Sequence, residues 1–168
     1  TVRRVARRLA GEYGHARFEG PGEALGGLVA TVLSQNTTAV NTRRAYAALR
    51  QRFPDWEQVA KASVAEVEDA IRPAGLAQQR AHRIQKILQD VRDPEGRPSL
   101  DFLADLPTEQ AREFLLTLPG VGPKTAACVL MFELGREVFP VDTHVYRICR
   151  RLGWLEDDPG PERAHAIL

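Results

Sequence analysis

The chain has 168 residues, of which 43% are apolar and 27% charged, with a formal net charge of +1. A chain this long buries roughly 70% of the surface that its unfolded form exposes, so one or two compact domains need no disulfide support. No apolar run approaches the roughly 20 residues of a membrane helix, and the Arg-rich start lacks the apolar segment of a signal peptide, so a soluble intracellular protein is expected. Cys128 and Cys149 lie in apolar helical patterns without a CxxC pair, which reads as buried thiols in a reducing compartment.

A net charge of +1 does not by itself indicate a nucleic-acid partner, but its distribution is uneven. Residues 1–100 carry 16 Lys or Arg against 11 Asp or Glu, whereas residues 101–168 carry 7 against 11. Arg3, Arg4, Arg7 and Arg8 open the chain, and Arg43, Arg44, Arg50 and Arg52 crowd one segment. Phosphate contacts use such clusters, and solvated helix faces produce them equally well. Among the 23 basic residues only Lys61, Lys86 and Lys124 are lysines, so a lysine is an unusual choice of cation here.

In chain order the elements read as helices. Leu25 to Leu33 is a dense apolar run, and Ala39 to Phe53 keeps Ala45, Leu49 and Phe53 on one face. Ser63-Val64-Ala65-Glu66 is a capping box that opens a short helix ending before Pro73, and Pro73-Ala74-Gly75 is a turn. From Leu76 to Arg92 a helix places Ile84, Ile87, Leu88 and Val91 on one stripe, and an exposed link, Asp93 to Pro98, ends it. Thr108 is expected to cap a helix through Leu115 and Leu116, which turns at Pro119-Gly120 into a helix from Pro123 to Leu134 stopped by Gly135. That unit is a helix-hairpin-helix. Asp142 is the expected N-cap of the next helix, which carries Val145, Ile148, Cys149 and Leu152 at i, i+3, i+4 and i+7 before Gly153. Pro161 to Leu168 opens a last helix with Ala164, Ile167 and Leu168 apolar and no C-cap, so the chain is expected to end inside an element. There is no solenoid repeat or low-complexity tract, and the fold class is all-α.

The residues with the most chemical content are Leu118-Pro119-Gly120-Val121-Gly122-Pro123-Lys124-Thr125-Ala126 and Val141-Asp142-Thr143-His144-Val145. Gly120 and Gly122 leave a loop without side-chain obstruction, and Pro123 suits the first helical position, where its missing N–H costs little. Such a loop can press N–H groups against a phosphate. Lys124 falls in the first helical turn, where the helix dipole disfavours a cation, so its placement asks for a chemical reason. A lysine amine attacks a sugar C1′ only when neutral, and from a reference value of about 10.4 this asks for a shift of about 3 units near neutral pH. A carboxylate opposite it, at the helix start of Asp142, could stabilise positive charge on a sugar or help deprotonate the amine. Taken singly, the loop reads as an interhelical turn, Asp142 as an N-cap and Lys124 as a solvated cation. Their conjunction at a separation of 18 residues favours chemistry.

These two segments resemble the hairpin and catalytic segments of the endonuclease III branch of the helix-hairpin-helix DNA glycosylases. Val32-Leu33-Ser34-Gln35-Asn36-Thr37-Thr38 and Gly75-Leu76 are similar to segments that this family presents to DNA, and the resemblance covers about residues 22–153. It implies that Lys124 is the Schiff-base nucleophile and Asp142 the catalytic carboxylate. The Gly120-Val121-Gly122 loop would bind a backbone phosphate, with a monovalent cation when DNA is bound, and Thr125 and His144 would lie at the same interface. His144 alternatively reads as an internal hydrogen-bond partner. A damaged base must leave the stack, and Gln35, Asn36 and Leu76 match the positions that fill the gap, with structural alternatives of a polar helix end and a core leucine. Many members have an acidic residue where Ala39 stands, which touches the damage pocket more than catalysis. The four cysteines that bind a 4Fe-4S cluster in the family have no counterparts in residues 1–168, so a cluster is expected only if the natural chain continues past Leu168.

The resemblance implies a two-lobed fold with a cleft. A six-helix barrel domain over 22–136, with its hairpin at about 108–134, would pack against a second lobe of 1–21 plus 137–168 that is incomplete at its C-terminus. The implied activity is base excision repair of oxidised pyrimidines in damaged double-stranded DNA, with AP lyase action by β-elimination. The alternatives are a monofunctional mismatch, uracil or alkylated-base glycosylase, and a non-catalytic helix-hairpin-helix DNA-binding module. A monomer without membrane contact is expected, cytoplasmic and nucleoid-associated in a prokaryote, or nuclear or mitochondrial in a eukaryote.

Overall fold

The apolar run at 25–33 becomes the helix around which the larger part of the protein is packed. The computed structural model describes residues 2–15, 22–155 and 158–168. In it α2 (Ala24–Ser34) buries Leu25, Leu28, Val29, Val32 and Leu33. It packs against α3 (Ala39–Arg52), α6 (Ala77–Asp90) and α8 (Pro123–Cys128). An apolar stripe this wide on a single helix is covered only by neighbours on several sides, which is why no polar face develops along it.

Smaller elements close the barrel. The capping box at Ser63 forms as expected, with Glu66 N–H donating to Ser63 Oγ and Ser63 N–H to Glu66 Oε2, and it starts α5 (Val64–Ile71). Helix α4 (Trp56–Lys61), capped by Asp55, was not legible in the sequence because six residues are too few to show a period. Its end is held by the buried Gln85 of α6, whose amide donates to the carbonyls of Val59 and Ala62. Helix α7 (Thr108–Thr117) then leads into α8. Among the described residues there are ten α-helices and no strand, and no helix is long and apolar enough to cross a membrane.

Buried apolar residues form two clusters. One runs from Ala24 to Leu130 and includes every barrel helix named above. The other joins Val141, Cys149, Leu155 and Ala164, and so links α9 (Thr143–Arg151) to α10 (Gly160–Ile167). Helix α10 also packs against α8, so the smaller cluster rests on the hairpin. The amphipathic N-terminal helix, α1 (Val2–Tyr13), buries no residue.

Four local expectations are corrected. Thr108 does not cap α7: Pro107 occupies the N-cap position with extended backbone, and Thr108 is already helical. The helix expected from Leu76 begins one residue later and stops at Asp90, while Arg92 pairs with Pro98 in an isolated bridge. The helix from Pro123 widens after Cys128 into a π turn over Val129–Glu133, where Leu134 N–H reaches back to Val129 C=O, before Gly135 stops it with φ +64°. On α9 only Cys149 is buried, whereas Ile148 and Leu152 are exposed because its neighbours cover just the centre of the stripe.

Leu28 is fully buried at the meeting of three helices, so Leu28→Ala is expected to lower the unfolding free energy by about 2–5 kcal/mol. Urea denaturation measures this, and a loss below about 1 kcal/mol would contradict the packing described.

Candidate active site at the helix-hairpin-helix

The hairpin turn is fixed from beneath by two apolar side chains. Leu118 and Val121 are buried, and Val121 N–H donates to Leu118 C=O at 3.2 Å. Between them the exposed Gly120 takes φ +72°, a conformation that a residue with a Cβ adopts only with strain. Gly122 is the N-cap of α8 and Pro123 its first residue, so Lys124 stands exposed in the first turn, as expected. The first-turn N–H groups have no partner within the helix and face the same side as the loop. Thr125, next in the same turn, is 6% exposed. The carbonyls of Leu118 and Gly120 each hold one hydrogen bond and keep a lone pair, a donor set that fits a hard monovalent cation.

Asp142 approaches from the second cluster. It caps α9 through a single oxygen: Oδ1 accepts from His144 N–H at 2.9 Å and Val145 N–H at 2.8 Å, and Oδ2 makes no hydrogen bond among the described residues. One residue earlier, Val141 N–H donates to His165 Nε2 at 3.0 Å, and His165 Nδ1 lies 3.0 Å from Pro161 C=O. His165 therefore ties the segment before Asp142 to α10. Sequence reasoning missed it, since a histidine in a short amphipathic helix carries no signal of its partner. His144 is exposed, and its Nδ1 meets Arg147 at 3.3 Å.

Lys124 and Asp142 both act electrostatically on a third residue. Cys128 is buried one helical turn beyond Lys124, and burial pushes its thiol above the ordinary range. The positive charge of the nearby Lys124 amine opposes that shift, while the negative charge of Asp142 adds to it. Amine and carboxylate thus both act on one sulfur, although 18 residues separate them in the chain.

Two further loops stand beside the hairpin, and both carry unusual backbone. Asn36, just after α2, has φ +53°, and Leu76, at the N-cap of α6, has φ +47°. Among the described residues no other non-glycine has positive φ, and each such conformation costs roughly 1–3 kcal/mol and persists only where its surroundings enforce it. Both side chains are exposed, Leu76 at 59%, so Leu76 is not a core residue. Gln35 bridges this region to the hairpin: its Nε2 donates to Gly120 C=O at 3.2 Å and its Oε1 accepts from Arg83 at 2.8 Å.

The two cysteines lie in different surroundings, Cys128 beside Lys124 and Cys149 in the smaller cluster. Among the described residues no three His, Cys, Asp or Glu side chains gather as a metal would require, so these residues do not fit a 4Fe-4S cluster.

The fold and site define an all-α helix-hairpin-helix protein with a lysine and an aspartate at adjoining helix starts. The HhH-GPD superfamily of base excision DNA repair proteins matches residues 29–168. A putative DNA glycosylase of Arabidopsis thaliana, At3g47830, is 47% identical over 131 residues, covering 78% of this chain and 45% of that protein. Endonuclease III of Thermotoga maritima is 36% identical over 140 residues, covering 83% of this chain and 62% of that protein. A trapped endonuclease III–DNA covalent intermediate superposes with a TM-score of 0.78 at 28% identity, over 99% of this chain and 75% of that one. The chain therefore spans less than two thirds of the length of these two curated relatives. It belongs to the HhH-GPD superfamily of base excision DNA repair proteins, and within that superfamily it is endonuclease III-like.

Removing the Lys124 side chain leaves the Cys128 thiol with burial and Asp142 alone, both of which raise it. Lys124→Met in a Cys149→Ser background is therefore expected to move thiolate formation to higher pH, followed by absorbance near 240 nm. An unchanged or lower value would show that the amine does not act on the thiol.

Proposed function

We propose that the protein is a base excision DNA glycosylase with AP lyase activity, acting on oxidised pyrimidines in duplex DNA. The observation that carries this reading is an exposed lysine, Lys124, in the first turn of α8 behind a glycine loop suited to phosphate, together with Asp142 capping α9 through Oδ1 alone. The similarity to a trapped covalent endonuclease III–DNA intermediate adds support, since a lysine at a helix start is the kind of nucleophile that such a complex needs.

In this mechanism the hairpin holds a phosphate through backbone N–H groups at the start of α8. A monovalent cation on the Leu118 and Gly120 carbonyls would add positive charge there when bound. Asn36 and Leu76 enter the duplex as the damaged nucleotide leaves it, at a cost in unstacking of a few kcal/mol. An amide can bond to the estranged base, and a leucine replaces lost stacking area.

The neutral Nζ of Lys124 then attacks C1′ of the damaged nucleotide. The N-glycosidic bond breaks with its electron pair on the departing base, which takes a proton from solvent. Asp142 Oδ2 stabilises positive charge on the sugar and accepts the proton that Nζ releases, while Oδ1 stays committed to the α9 N–H groups. Ring opening gives the imine. Loss of a C2′ proton drives cleavage of the 3′ C–O bond, and water releases Lys124 from the eliminated product. Asp142 is thus held by its capping bonds while its second oxygen works.

The test is a duplex with a single thymine glycol. Base release together with strand cleavage without alkali is expected, and Lys124→Ala should abolish the cleavage. Asp142→Asn keeps the capping oxygen and is expected to slow release by about 10²–10⁴-fold with little loss of stability. Release with cleavage only after alkali would instead mark a monofunctional glycosylase, and binding without release a bare DNA-binding module.

A further inference from the structure

Arg80 is a buried cation without a carboxylate partner among the described residues. It sits in the first turn of α6 at 3% exposure, and its guanidinium is spent on three backbone carbonyls. Nη1 donates to Leu33 C=O at 2.7 Å and to Ala74 C=O at 2.8 Å, and Nη2 donates to Gln35 C=O. Leu33 and Gln35 are the last carbonyls of α2, and Ala74 ends the 3-10 turn Arg72–Ala74. Each is a terminal group that its own element cannot satisfy. One side chain thereby caps two chain ends that are 41 residues apart, at Leu33 and Ala74.

Both ends lead directly into the left-handed backbone. Asn36 follows Gln35, and Gly75 and Leu76 follow Ala74, with φ of +53°, +71° and +47°. Burying a cation is costly unless its donors are filled, so a guanidinium held this way is rigid. The fork of an arginine can reach three carbonyls in one plane, and a lysine ammonium cannot reproduce that spread. The tie continues outward, because Arg83, on the next turn of α6, holds Gln35, and Gln35 holds Gly120 of the hairpin.

We propose that Arg80 is a positioning residue that sets Asn36 and Leu76 as a single wedge, and that through Gln35 it registers this wedge against the hairpin carrying Lys124. The proposal rests on the DNA glycosylase reading above. Its consequence is that the two exposed side chains are not independent: losing the guanidinium releases both turns at once, and losing either side chain afterwards changes little.

Wedge insertion is read without chemistry, from 2-aminopurine opposite a tetrahydrofuran abasic-site analogue in a short duplex. At saturating wild-type protein the fluorescence should rise as the estranged base unstacks. Leu76→Ala and Arg80→Met should each remove most of that rise, and the double variant should lose no more than either single one. Arg80→Lys should recover only part of it. A cooperative thermal melt followed by circular dichroism guards against a folding defect in Arg80→Met, and Gln35→Ala should lower borohydride trapping at a true abasic site by about tenfold, the size of effect expected from slight misplacement of the nucleophile. A full rise in a folded Arg80→Met, additive losses in the double variant, or no rise in the wild type would overturn the proposal. Failure of the glycosylase reading looks different, as a normal rise in fluorescence with no Lys124-dependent adduct on the same scaffold.

Discussion

A guanidinium bound to carbonyls, with no acid beside it among the described residues, joins two helix ends and so organises the surface next to the hairpin. Arg80 takes the carbonyls at the end of α2 and at the end of the 3-10 turn, which lie far apart in sequence. The helix ends would otherwise expose or bury unsatisfied acceptors, and an unmet buried polar group costs about as much as a lost hydrogen bond. Satisfying them with one rigid fork also fixes the direction in which the chain leaves each end. The strained turns at Asn36 and Leu76 are a consequence of that fixation, and so is their exposure.

The proposed chemistry rests on a second pair of elements, the starts of α8 and α9. Helix starts are positions where backbone N–H groups point outward, so they suit a phosphate and they hold a carboxylate. The chain offers one start suited to each. At α8 the N-cap is a glycine, which adds no side-chain acceptor and leaves the N–H groups open. At α9 the N-cap is Asp142, which fills them with its own Oδ1. The two starts are brought to the same side of the fold, because α10 packs on α8 and His165 ties α10 to the segment before Asp142.

What was legible in the sequence follows the reach of local rules. Gly120, Gly122, Pro123, Asp142 and the Ser63 capping box obey preferences that act over three or four residues, and all took the expected places. The core positions Ala45, Leu49, Ile84, Ile87 and Leu88 followed from helical period. Where tertiary contact decides, the sequence was silent or misleading. Arg80 reads as one more surface cation on an amphipathic helix, yet its partners come from residues 33, 35 and 74. Thr125 lies beside Lys124 in the motif but faces inward, and Ile148 and Leu152 complete an apolar stripe that only Cys149 buries. The positive φ of Asn36 and Leu76 is likewise invisible in residue type, since leucine resists that backbone.

The central claim is that the Lys124 amine reaches a sugar carbon. It is tested most directly by reducing the protein with borohydride in the presence of an abasic-site duplex, digesting the product and locating the retained sugar by mass spectrometry. The account requires the added mass on the peptide that contains Lys124, and on Lys124 itself. An adduct on Lys61, on Lys86 or on the chain's amino terminus, with Lys124 unmodified, would contradict it.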